Sequence, residues 1–369
     1  MNLTRREFAA ASATLALSAC AGGPSRRAEA DGKLPSLGRA LAPYFPFGAA
    51  ITPGQVAFGS ADFIKSQFSV VVAENAMKPE ALAARGEGQY SFTQADELVN
   101  FARAAGLKIR GHTLVWHQQT PAWFFVENGA PVTRATLIAR MERYITDVVG
   151  HFKGRVFAWD VVNEAYSFGE ARTRTDSEGM RLSPFREIIG EDYIEIAFRA
   201  AARADPDALL FYNDYETQNP RKIAAISEMV RRFQAAGVKI DGIGHQAHCS
   251  MLHPSVSSFE QAVEQYARLG ITQHVTELDI ALNDDISANR VSEASPALLE
   301  RQAQRYADFF RVFIKQRRHI TAVLVWGIDD ANSWLRHWPS ERFEAPLLFD
   351  EKRQPKLAFW AVMKHAETG

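Results

Sequence analysis

Val156-Phe157-Ala158-Trp159 runs directly into Asp160-Val161-Val162-Asn163-Glu164: an apolar stretch fit to be buried in a sheet, then a segment carrying two acids and an amide. So short an apolar run reads as a fully buried strand. A polar cluster at its C-terminal end is where a parallel-stranded barrel carries its chemistry. The arrangement recurs along the chain. Phe47-Gly48-Ala49-Ala50-Ile51, Phe68-Ser69-Val70-Val71-Val72 and Leu107-Lys108-Ile109 precede it, and Leu209-Leu210-Phe211-Tyr212, Gly242-Ile243-Gly244, His274-Val275-Thr276 and Ala322-Val323-Leu324-Val325-Trp326 follow. Between several of these the period becomes helical: Leu137, Ile138, Met141, Tyr144, Ile145, Val148, Val149 and Phe152 fall on one face, as do Leu299, Ala303, Tyr306, Phe310 and Phe313. Strands alternating with helices predict an α/β fold, a single (β/α)8 TIM barrel over residues 35–369. A doubly wound open sheet is the competitor, but it calls for a Gly-rich phosphate loop, and no G-x-G-x-x-G occurs.

The other strand ends carry similar clusters. They are Glu74-Asn75-Ala76-Met77-Lys78 after the second, Gly111-His112 through Trp116-His117 after the third, and Asn213-Asp214-Tyr215 after the fifth. Gln246-Ala247-His248 follows the sixth, Glu277-Leu278-Asp279 the seventh, and Trp326 to Trp334 the eighth. A polar cap at any single strand end has an ordinary structural explanation; clusters after nearly all of them predict one shared mouth.

Composition narrows the chemistry. The 369 residues hold 42 basic and 43 acidic side chains, a formal net charge of -1, so no basic footprint for nucleic acid is present. With 47% hydrophobic residues the chain has material for a large core. The N-terminus is different. Thr4-Arg5-Arg6-Glu7-Phe8 followed by the small apolar run Ala9 to Ala19 reads as a twin-arginine export signal, too short to span a bilayer. It ends in Leu17-Ser18-Ala19-Cys20, which resembles a lipobox with Cys20 as the lipidation site; the alternative is an ordinary cleavable signal. Residues 1–34 are thus expected to be a signal and short tether. The mature protein would be a periplasmic or outer-membrane, cell-surface lipoprotein, or else secreted, touching the membrane only through a lipid at Cys20. The barrel is expected to be monomeric. Only Cys249 then remains, no internal disulfide is possible, and Cys249 reads as a buried apolar group.

Two glutamates on different strands, with histidines, amides, a lysine and tryptophans but no G-x-S-x-G elbow, suit hydrolysis of a glycosidic bond. That reaction needs one carboxylic acid to protonate the leaving oxygen and a second carboxylate at the anomeric carbon. Glu164 is assigned as acid/base and Glu277 as nucleophile. An ionised Glu277 nearby would favour a proton on Glu164, and that repulsion would vanish once Glu277 is esterified. His248 is expected to bond Glu277, oriented by Asp279. His117 reads equally well as a core residue. Trp326 and Trp334 are placed to cover the apolar face of a pyranose, where crowding near C5 would favour xylose over a hexose. Trp123 and Trp338 stay unassigned, and Trp360 reads as packing for the last helix. No cofactor or metal is called for. A metal-dependent barrel hydrolase using His112, His117, His245 and His248, or a non-catalytic lectin that kept the groove, are the competing classes.

Six ordered motifs carry a resemblance. Glu74-Asn75-Ala76-Met77-Lys78-Pro79-Glu80, Arg110 to His117 with Pro121 and Trp123, Trp159 to Ala165, Tyr212-Asn213-Asp214-Tyr215, Val275 to Ile280, and Val325-Trp326-Gly327 through Ser333-Trp334 together resemble glycoside hydrolase family 10, the endo-1,4-β-xylanases, from Phe45 to Lys364. The resemblance implies endo-hydrolysis of xylan with retention, by the same two glutamates. It also implies Glu74, Asn75 and Lys78 on the non-reducing side, with His112, Trp116, Gln119 and Asn163 around the sugar being cleaved. Asn163 would meet the 2-hydroxyl, and Asn213, Tyr215 and Gln246 join the substrate-binding set. Gln246-Ala247-His248-Cys249 keeps the family's Gln and His but not its usual neighbours.

Overall fold

The computed structural model describes residues 34–168, 173–283 and 291–368. The expected signal, tether and Cys20 lie outside them. One compact unit spans Ser36–Gly369. Its strands are β1 (Phe47–Ile51), β2 (Val70–Ala73), β3 (Lys108–Gly111), β4 (Ala158–Asn163), β5 (Leu209–Asp214), β6 (Gly242–His245), β7 (Thr272–Ala281) and β8 (Ile320–Val325). Each pairs in parallel with the next, and β8 returns to β1 with Phe47 beside Val323, so the sheet closes. Following the strands in turn are α1 (Ala61–Gln67), α2 (Thr93–Ala104), α3 (Arg134–Phe152), α4 (Tyr193–Ala204), α5 (Pro220–Ala235), α6 (Val256–Ala267), α7 (Pro296–Lys315) and α8 (Leu357–Thr368). This is the (β/α)8 barrel the alternation predicts.

The helices start where the sequence supplies caps. Thr133, Asn219, Ser255 and Ser295 each accept a first-turn backbone N–H, and Pro220 and Pro296 open two of these helices. Such caps satisfy donors the helix cannot, each contributing about 1 kcal/mol. The inward face of α3 matches the apolar period except that Arg140 is also buried and Ile138 is not fully covered. Arg140 bonds Glu87, Glu127 and the Trp123 carbonyl, which makes its burial tolerable.

Two close approaches need glycine. A Cβ on Gly111 would lie 2.2 Å from the Trp159 ring, and one on Gly244 would lie 2.1 Å from Asn213 Oδ1. The strands differ from expectation at their C-terminal ends. β4 continues through Asp160 to Asn163, and β7 runs on through Glu277 and Asp279, because backbone pairing extends past the apolar run into the polar residues of the mouth. Val115–Trp116 also pairs β4, and His248–Ser250 pairs β7, lengthening the wall on that side. Among the described residues no helix is long and apolar enough to cross a membrane.

Candidate active site

Glu277 lies within β7, at the point where the register against β8 shifts between Val275 and Leu278. Such irregularities re-aim side chains. The residue is 4% exposed. Oε1 accepts from Asn213 Nδ2 at 2.7 Å, and His248 Nε2 is 3.1 Å from Oε2. His112 Nδ1 stands 4.0 Å from Oε1. On its other side His248 Nδ1 is 2.9 Å from Asp279 Oδ2, which also accepts from Trp334 Nε1 at 2.9 Å. Burial alone would raise the Glu277 carboxyl and depress the His248 ring. The hydrogen bond from His248, the nearby His112 and the Asn213 amide outweigh burial for Glu277 and hold it down at about 2. For His248 the charge and hydrogen bond of Asp279, joined by those of Glu277, overcome burial and raise the ring to about 10. The ring therefore keeps its proton at neutral pH, and both N–H groups donate. Glu277 is held ionised and buried, with a donor on each oxygen.

Glu164 follows β4 with φ +57°, the left-handed region that a non-glycine residue enters only when held there. Its N–H donates to the Asn213 carbonyl, and its own carbonyl accepts from Arg181 Nε. Trp116 Nε1 donates to Oε2 at 2.9 Å; Asn163 Nδ2 and Gln246 Nε2 donate to Oε1 at 3.0 and 2.9 Å. The two glutamates share one amide bridge. Asn213 Nδ2 donates both to Glu277 Oε1 and, at 2.8 Å, to Asn163 Oδ1, and Asn163 reaches Glu164. Glu164 keeps partial access to solvent, whereas Glu277 has almost none.

His112 Nδ1 is 2.9 Å from Asp160 Oδ2, and its ring meets Trp326 edge to face at 5.3 Å between centroids. His117 stands on the Glu164 side. Burial and the charge of Arg181 depress it to about 3, so it is neutral, with Nδ1 buried 4.0 Å from Glu164 Oε2. On the β2 side Lys78 Nζ donates to Asn75 Oδ1 and Gln119 Oε1, both at 2.9 Å, and lies 4.8 Å from the centre of the Trp116 ring. Burial depresses the Lys78 ammonium, opposed by Glu277, Glu74 and Glu164; burial likewise raises Glu74, whose Oε1 accepts from Asn75. Trp326 belongs to the buried apolar cluster of Ala50, Val70, Val72, Ala322 and Leu324, and the partly buried Trp334 packs against it. The aromatic surface goes on through Trp334 to Trp338, 5.2 Å between ring centroids, and Trp338 is half exposed.

Not every residue of the expected binding set faces open space. Asn213 has no exposed surface; it sits beneath the glutamates with Oδ1 accepting from Thr276 Oγ1 at 2.7 Å. The Tyr215 hydroxyl accepts from Arg181 Nη2 at 2.7 Å. Cys249 is buried, as read from the sequence. One residue of the site, Arg181, has no signal in the strand-end motifs, since it comes from the long segment between β4 and α4; Asp160 stands in the β4 motif without an assigned role, and it pairs both His112 and the buried Arg110. Among the described residues no group of three or more His, Cys, Asp or Glu side chains is arranged to hold a metal ion.

Comparison with known proteins gives the family and the fold. The model of glycosyl hydrolase family 10 matches residues 36–365. The chain is 42% identical to endo-1,4-β-xylanase A of Thermotoga maritima over 342 residues, which is 91% of this chain but 31% of that longer protein, so this chain spans about a third of its length. Xylanase B of Clostridium stercorarium F9 superposes with a TM-score of 0.85 at 40% identity, covering 89% of this chain and 99% of that one. A variant of an intracellular xylanase from Thermoanaerobacterium saccharolyticum, solved with xylotriose, gives 0.80 at 38% identity over 89% and 98%.

Proposed function

This chain belongs to glycosyl hydrolase family 10, and on that footing we propose that it is an endo-1,4-β-xylanase, cleaving internal β-1,4-xylosidic bonds of xylan with retention of configuration. The observation that carries the reading is a pair of glutamates in unlike surroundings at one barrel mouth. One is buried, ionised and clamped by donors; the other is partly open and linked to the first through the Asn163–Asn213 amide bridge. Such asymmetry is what separates a nucleophile from an acid/base.

In the first step a Glu277 oxygen attacks the anomeric carbon while protonated Glu164 gives its proton to the departing glycosidic oxygen. The old C–O bond breaks and a glycosyl ester forms. In the second step Glu164, now a carboxylate, takes a proton from water as the water oxygen attacks the same carbon, and Glu277 leaves as carboxylate. Two inversions give retention. Protonated His248, fixed by Asp279, stabilises the ionised Glu277 that starts and ends the cycle. Asn163 supports the 2-hydroxyl, a contact that strengthens as charge develops on the ring. Trp326 and Trp334 supply the apolar platform, with Lys78, Asn75 and Glu74 taking hydroxyls on the non-reducing side, while His112, Trp116 and Gln119 surround the sugar being cleaved and Gln246 and Tyr215 line the remaining wall.

The test is release of reducing ends from unbranched xylan by the enzyme and two variants. Glu277→Ala abolishes turnover of every glycoside, whereas Glu164→Ala keeps a fast first step on xylosides whose leaving group needs no proton. Equal loss on activated and unactivated substrates in the Glu164 variant contradicts the assignment. For residues 1–34 we propose twin-arginine export with lipidation at Cys20, anchoring a monomeric barrel at a periplasmic or outer, cell-surface membrane. Fatty-acid labelling that disappears in Cys20→Ser supports this; an unlabelled protein released to the medium overturns it.

A further inference from the structure

A buried polar chain runs from α5 to the turn behind Glu164, away from the groove. Lys222, Asp214 and Tyr212 are each fully buried. Lys222 Nζ donates to Asp214 Oδ1 at 2.8 Å and to the Tyr215 carbonyl at 2.9 Å. The Tyr212 hydroxyl donates to Asp214 Oδ2 at 2.5 Å. In turn that hydroxyl oxygen accepts from the backbone N–H groups of Ala165 and Tyr166, at 3.0 and 3.3 Å. These are the two residues that follow Glu164, whose φ of +57° is the unfavourable one.

We propose that Lys222, Asp214 and Tyr212 form a positioning relay that holds the acid/base turn, and that its purpose is the placement of the Glu164 carboxyl against the leaving oxygen. The direction of each bond makes the case. A phenol has a single proton. With Asp214 ionised, and therefore only an acceptor, that proton must point at Asp214, leaving the oxygen lone pairs for the two amides. The Lys222 ammonium supplies the charge that keeps a fully buried carboxylate ionised. Burial still pushes Asp214 up to about 6 against the opposing pull of Lys222 and Tyr212. Without the phenol oxygen two buried N–H groups lose their acceptor just where the chain holds a strained φ, and the turn is free to relax towards ordinary backbone. Arg181 Nε on the Glu164 carbonyl and the Glu164 N–H on the Asn213 carbonyl restrain the same turn from other sides. All three relay side chains are fully buried, and Tyr212, the member bonded to the turn, acts through Glu164, whereas Lys222 also touches Tyr215.

This inference rests on the acid/base role of Glu164, and its test separates the two. Glycosylation of the enzyme is timed in single turnovers with xylan oligosaccharides and with a dinitrophenyl xylobioside, whose leaving group needs no proton. Glu164→Ala is the reference and Tyr212→Phe the probe. Tyr266→Phe, which removes another buried hydroxyl bonded to the Thr217 carbonyl, is the control for lost stability. The expected result is a loss of about 10²-fold in Tyr212→Phe on the oligosaccharides, the size of effect a misplacement of about 1 Å produces. Its rate on the activated substrate stays within about threefold, and Tyr266→Phe keeps both rates. If Glu164→Ala shows no such split, the acid/base reading itself fails. If Glu164→Ala splits but Tyr212→Phe loses both rates in parallel, or neither, the relay is refuted. Should Tyr212→Phe not accumulate as folded protein, amide exchange in the unaltered enzyme decides: Ala165 and Tyr166 must be strongly protected, and exchange as fast as at exposed loop amides overturns the proposal.

Discussion

Replacing His248 by Phe removes one donor from Glu277 while keeping a ring against Trp326 and Trp334. The bond it deletes joins two charges, His248 Nε2 and Glu277 Oε2 at 3.1 Å, in a buried setting. Hydrogen bonds to charged groups contribute about 1.5–3 kcal/mol, and one pH unit corresponds to about 1.4 kcal/mol. The Glu277 carboxyl, held at about 2 in the intact site, therefore rises by roughly one to two units. Asn213 and the neighbouring His112 remain and prevent a larger shift. The sign follows from the role: kcat/KM on xylobiosides needs Glu277 ionised, so its acid limb moves to higher pH by that amount. The basic limb set by loss of the His248 proton near 10 disappears with the ring. The assay is the pH profile of kcat/KM with an activated xylobioside, which isolates the nucleophile from proton donation. An acid limb left in place in a folded His248→Phe protein would refute the claim that this ring sets the charge of Glu277.

The same pair makes stability depend on pH. The raised ring of His248 contributes stability that is complete below its ordinary value of 6.5 and is lost as pH rises through about 10. The depressed carboxyl of Glu277 contributes stability present above its ordinary 4.5 and lost as pH falls towards 2. Urea denaturation across this range should show a plateau between those ordinary values and an alkaline decline that His248→Phe abolishes. Gly244→Ala should drive Asn213 off the glutamates, because its Cβ would lie 2.1 Å from Asn213 Oδ1. A fall in kcat of about 10²-fold, typical of a misplaced catalytic group, with KM little changed, is the expected kinetic result. Lys78→Met removes the ammonium that bonds Asn75 and Gln119 and should raise KM for short xylo-oligosaccharides about tenfold, the cost of one charge-assisted contact at the low end.

The barrel was legible because its strands carry two signals at once, an apolar run and then polar residues. A buried parallel strand is mostly apolar until it reaches the mouth, with Arg110 in β3 and Gln273 and His274 in β7 as buried exceptions. That same signal blurs the strand ends. Pairing between β4 and β5 passes through Asp160 to Asn163, and β7 carries Glu277 inside the ladder. Residue identities within the site were readable, but not the directions they face. Asn213 reads from the chain as a sugar contact, yet it lies fully buried and bridges to Glu277. Gly244, directly alongside it, is what leaves it room there. Arg181 could not be found from strand ends, since it comes from a long connecting segment and reaches Glu164 through a backbone carbonyl. The Lys222–Asp214–Tyr212 chain was hidden for a related reason. Lys222 falls in step with Ile226, Met229 and Phe233 on the buried face of its helix, but a lysine at such a position reads as a solvated charge.

The most direct trial of the account is to trap the glycosyl-enzyme. An activated 2-deoxy-2-fluoro-xylobioside slows the second step more than the first, and peptide mapping by mass spectrometry then locates the sugar. The account predicts one sugar per chain, ester-linked to Glu277, with activity returning as the ester hydrolyses. A label on any other residue, or an enzyme that releases the inverted anomer without ever acquiring one, would contradict it.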